Sequence, residues 1–280
     1  MTQREELIFS NLDAHWKESL EHFDNDQIVG LFLQGSQNYQ LDLPGSDTDT
    51  KLIVAPSFRD IALNKKPVST THIRENNEHI DFKDVRAYIE CFYKQNLNFL
   101  EILFTPYFIV NGQYYDQWQR LIEARESIVR MNEYRAVKSM KGIALEKYYA
   151  MEHPYPSKLE VLAKYGYDSK QLHHLVRVDN YLTRYIGGES YEKCLVPDKE
   201  MREFLVDIKM GNWNLAAARE LAKQSLDHVE LIADTFCSKS EDKEDAEMRA
   251  LLQDVQYEIM KIAVESELKI LLVLLPDPHV

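Results

Sequence analysis

The stretch Gln34–Pro56, QGSQNYQLDLPGSDTDTKLIVAP, constrains the fold more than any other part of the chain. An apolar run from Ile28 to Leu33 leads into Gly35-Ser36. After ten residues comes Asp47-Thr48-Asp49, then a second apolar run, Leu52 to Val54. The pattern predicts a strand, a Gly-Ser turn, a short helix, a tight turn at Pro44-Gly45 and a second strand bearing two carboxylates. Residues two apart on a strand share a face. Asp47 and Asp49 are therefore expected to present their oxygens to one place, which suits a hard divalent cation such as Mg²⁺. Gly35 lets a ligand approach the backbone closely. Ser36 sets a hydroxyl at an expected helix N-terminus, where free N–H groups favour phosphate.

The flanking segments extend this unit. Leu7, Ile8, Leu12, Trp16 and Leu20 recur at helical spacing and predict a helix from about Arg4 to His22. Phe58 to Leu63 reads as a short helix, and the polar stretch Asn64–Glu78 as a loop or irregular hairpin. His79 to Lys83 predicts a third strand, with Ile80 and Phe82 facing the core and His79 and Asp81 facing the other way. Asp84 is a good N-cap for a helix over Val85–Lys94. Beyond about residue 112 the pattern is almost wholly helical. The fold class expected is α+β, with residues 1–112 around a small mixed sheet and residues 113–280 forming a helical domain. The last helices are expected between about Lys243 and Leu275, as packing elements.

One helical segment, Tyr165 to Gly188, carries polar residues with a pattern of their own. Asp168 or Ser169 is a credible N-cap and Gly187-Gly188 a credible stop. Lys170, His174, Arg177, Tyr181 and Arg184 fall within a sector of roughly 80°, at about 100° per residue. Leu172, Leu175, Leu182 and Ile186 lie opposite. This is a cationic stripe back to back with a core stripe. Such a stripe is either a solvated surface or the wall of an anion-binding cleft. His173 falls off it. A Tyr-rich helix from Ala136 to Met151, with Lys138 and Lys141, is a second candidate wall or simply packing.

The chain has 280 residues and 45% apolar residues, enough for a sizeable core. Its net charge of −13 argues against a broad DNA-binding surface, though not against a small basic pocket. No apolar run reaches the length of a membrane span, and the N-terminus lacks a signal-peptide pattern. Cys91, Cys194 and Cys237 are scattered and show no zinc spacing, so reduced thiols in a cytoplasm are the expectation. Oligomeric state is not legible.

Gly35-Ser36 followed by Asp47-Thr48-Asp49 on a strand resembles the nucleotidyltransferases of the DNA polymerase beta superfamily. Lys83–Asn111 is similar to the RNA-ligase-associated subgroup, matching at Asp84, Arg86, Lys94, Asn96, Leu100, Glu101, Leu103 and Phe104. Leu97 stands where that subgroup has Pro, and Ala87 where it has Lys. Gly166-Tyr167-Asp168, then Lys170, His174 and Arg177, also resembles the subgroup. The likeness runs from Ile28 to about Asp234, including a helix over Met201–Lys209 and the break Met210-Gly211-Asn212. It implies a nucleotidyltransferase catalytic domain and transfer of an NMP from an NTP to an acceptor hydroxyl, with release of pyrophosphate. It further implies two Mg²⁺ (or Mn²⁺) ions on Asp47, Asp49 and a third carboxylate, Asp81 or its rival Asp84. Gly35, Ser36, Lys170, His174 and Arg177 would bind phosphates. Glu101 is expected on a helix surface. The acceptor implied is an RNA end. A protein or small-molecule hydroxyl, or a non-catalytic nucleotide-binding module, remains the alternative.

Overall fold

A computed structural model describes residues 2–43 and 45–274. Helix α1 (Gln3–Ser19) is opened by a capping box, in which Thr2 accepts from the Glu5 N–H and Glu5 accepts from the Thr2 N–H. Then come β1 (Ile28–Gln34), β2 (Asp49–Val54), α2 (Phe58–Ala62), β3 (Ser69–Ile73) and β4 (His79–Asp84). Next are α3 (Val85–Tyr93), α4 (Leu97–Leu100) and β5 (Phe108–Val110). The remainder is helical: α5 (Tyr115–Glu123), α6 (Arg125–Ile128), α7 (Glu133–Ala150), α8 (Leu159–Tyr165), α9 (Ser169–Ile186), α10 (Tyr191–Leu195), α11 (Lys199–Lys209), α12 (Leu215–Cys237) and α13 (Ala246–Leu274).

The fold is α+β, built on a small mixed sheet in the order β3-β4-β2-β1-β5. The pair β2/β4 is parallel and sets Lys51 opposite Asp81; the other pairs are antiparallel. Alternation assigns the two faces. Leu52, Val54, Ile80 and Phe82 pack on Ile8 and Leu12 of α1. Val29, Phe32 and Ile53 face the larger core, which runs on without a break through α3, α7, α9 and α12 to α13. Helix α9 lies inside the helical part, packed on α7, α10, α11 and α12. Its Leu172, Leu175 and Leu182 are fully buried, each contributing about 1.5–3 kcal/mol by removal from water.

Several local expectations change. Helix α1 stops at Ser19, short of His22. Of the two readings of residues 64–78 the hairpin holds: β3 pairs antiparallel with β4 as the sheet's edge strand. The short helix after Gly35 is one 3-10 turn, Ser36–Tyr39. The strand carrying the carboxylates begins at Asp49, so Asp47 lies in the loop before it. Of the expected tight turn, Gly45 has φ +81° and the Ser46 N–H donates to the Leu43 carbonyl at 2.9 Å, while Pro44 lies outside the described residues. The final segment is one helix, with Leu275 outside the described residues.

Candidate functional site

Two threonines interleaved with the aspartates anchor the carboxylate segment. Thr48 and Thr50 point away from the acidic side chains, toward α1. His15 on α1 is fully buried. Its Nε2–H donates to Glu78 Oε2 at 3.0 Å, and its Nδ1 accepts from the Thr50 hydroxyl at 2.8 Å. Burial holds His15 below the usual imidazole range, so the ring is neutral and this tautomer is fixed by its partners. The Thr48 N–H donates to Glu78 Oε1 at 3.0 Å, and Asn11 Nδ2 donates to the Thr48 hydroxyl at 2.9 Å. Arg74 and Asn76 donate to Glu78 Oε2 at 2.6 and 2.8 Å. Burial raises the Glu78 carboxyl, but the bonds from His15, Asn76 and Thr48 outweigh it and leave the group below its ordinary value. One carboxylate thus fixes the backbone between two others. Glu78→Ala strips the acceptor from four donors and is expected to destabilise the fold by about 2–4 kcal/mol. Urea unfolding at pH 7 measures this, and a change under about 1 kcal/mol would remove Glu78 from that role.

On the opposite face of the segment two adjoining cavities open, of about 340 and 270 Å³. They share Gln34, Gly35, Asp49 and His174. The first also holds Lys51, Asp81, Glu101, Lys147 and Arg177; the second holds Ser36, Asp47, Lys170, His173 and Lys209. Every phosphate- or metal-binding residue expected from the sequence therefore lines one cleft. Gly35 adopts φ +85°, and a Cβ there would meet nothing within 4 Å. The backbone conformation demands glycine, and the side from which a ligand approaches is open. Of the two rivals on β4, Asp84 caps α3 by accepting from the Arg86 N–H at 2.8 Å, and it pairs with the Arg86 guanidinium at 2.6 Å. It lines neither cavity. Asp81 does.

The carboxylates are not all alike in their partners. Asp49 Oδ1 accepts from the His79 N–H at 2.9 Å, and the His79 ring lies 3.4 Å away. Asp47 is exposed. Asp81 is engaged on both oxygens, by the Thr71 hydroxyl at 2.5 Å and by Lys51 Nζ at 3.3 Å. Asp47 and Asp49 offer hard oxygens to one cavity and fit a divalent cation. Asp81 has one partner on each oxygen, so a second cation there would compete with Lys51 and Thr71. Among the described residues no three His, Cys, Asp or Glu side chains converge as a metal-binding group.

The far wall comes from α9, where the stripe divides. Lys170, His174 and Arg177 reach the cleft. Tyr181 is buried beside Tyr191, and Arg184 closes the helix end on Glu189 and the Val196 carbonyl. These two are structural. The stripe is also less cationic than its composition, because burial holds His174 far below the usual imidazole range and keeps it neutral. His173 is buried, with Nδ1 bonded to the Leu205 carbonyl at 2.8 Å, and burial lowers it to about 4. Arg177 is 7% exposed, its guanidinium 4.0 Å above the Tyr39 ring, and its Nε has no hydrogen-bond partner among the described residues.

Facing it is Glu101, 5% exposed rather than on a helix surface. Burial pushes this carboxyl up to about 7, against the pull of the Arg177 charge and the Gly35 N–H. Lys51, Lys147 and Lys209 also line the cleft and are not among the residues the sequence singles out. Lys51 carries a signal there, two residues past Asp49 on the same strand face; the other two reach the cleft only through tertiary packing. No protein-family model and no curated protein sequence matches this chain.

Proposed function

We propose that this protein is a nucleotidyltransferase that moves an NMP from an NTP to an acceptor hydroxyl and releases pyrophosphate. In this reading residues 1–112 are the catalytic domain and residues 113–280 supply the opposite wall of its cleft. The observation that carries the reading is convergence: Gly35, Ser36, Asp47, Asp49 and Asp81 from the sheet side, and Lys170, His174 and Arg177 from α9, line two cavities with shared walls. The resemblance in sequence points to the same residues. A divalent ion bound by Asp47 and Asp49 would supply charge neutralisation for the triphosphate.

The chain's own groups divide the remaining tasks. The Gly35 backbone and Ser36 hydroxyl bind phosphate oxygens from the sheet side. Lys170 gives a mobile point charge at the cleft's rim, and Arg177 a fixed planar fork in its floor. Neutral His174 donates a hydrogen bond without adding charge. Catalysis then rests on positioning and on charge placed where the pyrophosphate departs. The acceptor class is proposed as an RNA end, bound within the cleft rather than on a broad basic surface.

Incubation with each labelled NTP, Mg²⁺ and total cell RNA or lysate tests the reading. Label transferred to a macromolecule with pyrophosphate release supports it; RNA supports the acceptor class, and label on protein alone would move the acceptor to a polypeptide hydroxyl. Absence of nucleotide binding by the purified protein sinks the reading as a whole. Lys170 offers a clean binding variant, because it is exposed. Lys170→Ala is expected to weaken NTP binding by about 1–3 kcal/mol while leaving stability within about 0.5 kcal/mol. Calorimetric titration beside thermal unfolding separates the two. Arg177→Ala is not equivalent, since it strands Glu101 in the interior.

A further inference from the structure

A nucleotidyltransferase with three carboxylates ordinarily holds two positive centres between them. Lys51 sits opposite Asp81 in the β2/β4 register and on the same strand face as Asp49. Its side chain is 5% exposed, and Nζ lies 3.3 Å from Asp81 Oδ2 and 4.4 Å from the centre of the Phe99 ring. Asp81 is its one salt-bridge partner among the described residues. A buried ammonium without a counter-ion is strongly unfavourable, so a cation entering between Asp49 and Asp81 would have to compete with Lys51 for Asp81. The other oxygen of Asp81 is held by Thr71 at 2.5 Å. Asp47 and Asp49, in contrast, have no ammonium or guanidinium bonded to them among the described residues.

We propose, building on the nucleotidyltransferase reading, that the Lys51 ammonium fills the place of the second cation. The site then takes a single divalent ion, on Asp47 and Asp49, and meets the transferred phosphoryl group with Lys51 as its other positive centre. Lys51 lies at the reacting phosphate, tethered by Asp81 and aimed by Phe99. Asp81 acts through Lys51 as a positioning residue. Because the second charge is covalently attached, it is present at every cation concentration.

Counting ions decides the matter without any turnover. The full-length protein is titrated with Mn²⁺ in the presence of the α,β-methylene analogue of each NTP in turn, and bound Mn²⁺ is read by electron paramagnetic resonance. One Mn²⁺ per chain is expected for the wild type and for Lys51→Arg, and two for Lys51→Met, where Asp81 is released; circular dichroism checks that each variant is folded. Two ions in the wild type, with the spectrum of a coupled pair, would overturn the proposal while leaving the nucleotidyltransferase reading intact. A folded Lys51→Met protein that still takes one ion would also overturn it. Binding of neither Mn²⁺ nor analogue by the wild type is a different failure, in which both fall together.

Discussion

Asp49→Asn is expected to lower the proposed nucleotidyl transfer by about 10²–10³-fold with little change in stability. The loss is that of one fixed negative charge in the reacting cleft, on the scale seen when a single electrostatic contact to a transition state is removed. The fold should survive because Asn keeps a carbonyl oxygen where Asp49 Oδ1 accepts the His79 N–H. Asp47→Asn, at an exposed position, should show the same loss with even less structural consequence. Initial rates at saturating Mg²⁺, paired with urea unfolding, give both halves of the result. Near-normal turnover in either variant would remove that carboxylate from the cation site.

A change of the opposite kind is expected at Glu101. The Glu101→Gln variant should be more stable than the wild type at pH 8, by up to about 3 kcal/mol, and equal to it at pH 4. The sign follows from the carboxyl's raised value of about 7. Below the ordinary value of 4.5 both folded and unfolded chains hold the proton. Between 4.5 and about 7 the unfolded chain releases it and the folded chain does not, so wild-type stability falls as pH rises through that window. Above that window the folded protein carries a buried charge that Arg177 only partly offsets, and the amide of the variant carries none. Unfolding free energies at pH 4 and pH 8 test this; a variant weaker than the wild type at pH 8 would show that the pair with Arg177 outweighs burial. A protein that keeps such a group in a cleft keeps it against its own stability, which is common where a ligand is bound.

What the sequence revealed depended on how local the signal was. Gly35, Ser36, Asp47 and Asp49 are close in the chain, and a turn, a loop and the start of one strand place them, with Asp47 in the loop. Asp81 was recoverable because Ile80 and Phe82 alternate with it. The α9 residues were recoverable because helical spacing survives in the sequence even when most of the helix is covered. Two rules failed for identifiable reasons. The polarity of β3 erased the alternation by which strands are recognised, since its covered face is carried by His72, on Phe82, and not by an apolar side chain. The burial of Glu101 and Lys51 contradicts the ordinary expectation for charged residues, and only the opposing wall reveals why each is tolerated. Arg184 and Tyr181 share a sector with Arg177, but Arg184 closes the helix end and Tyr181 packs on Tyr191, so angular position alone overstated the cleft's extent.

Helix α13 has a mechanical consequence. It begins after the long helices of the second half, yet it packs on α2, α3 and α5 and on the turn before β1, and its residues belong to the same core as those of α3 and α9. A jaw needs a seam that few side chains cross. Here the last helix ties α5 back to α2, α3 and the turn before β1, and one apolar core continues from α3 to α9. The elements of both walls of the cleft thus rest on one continuous apolar core.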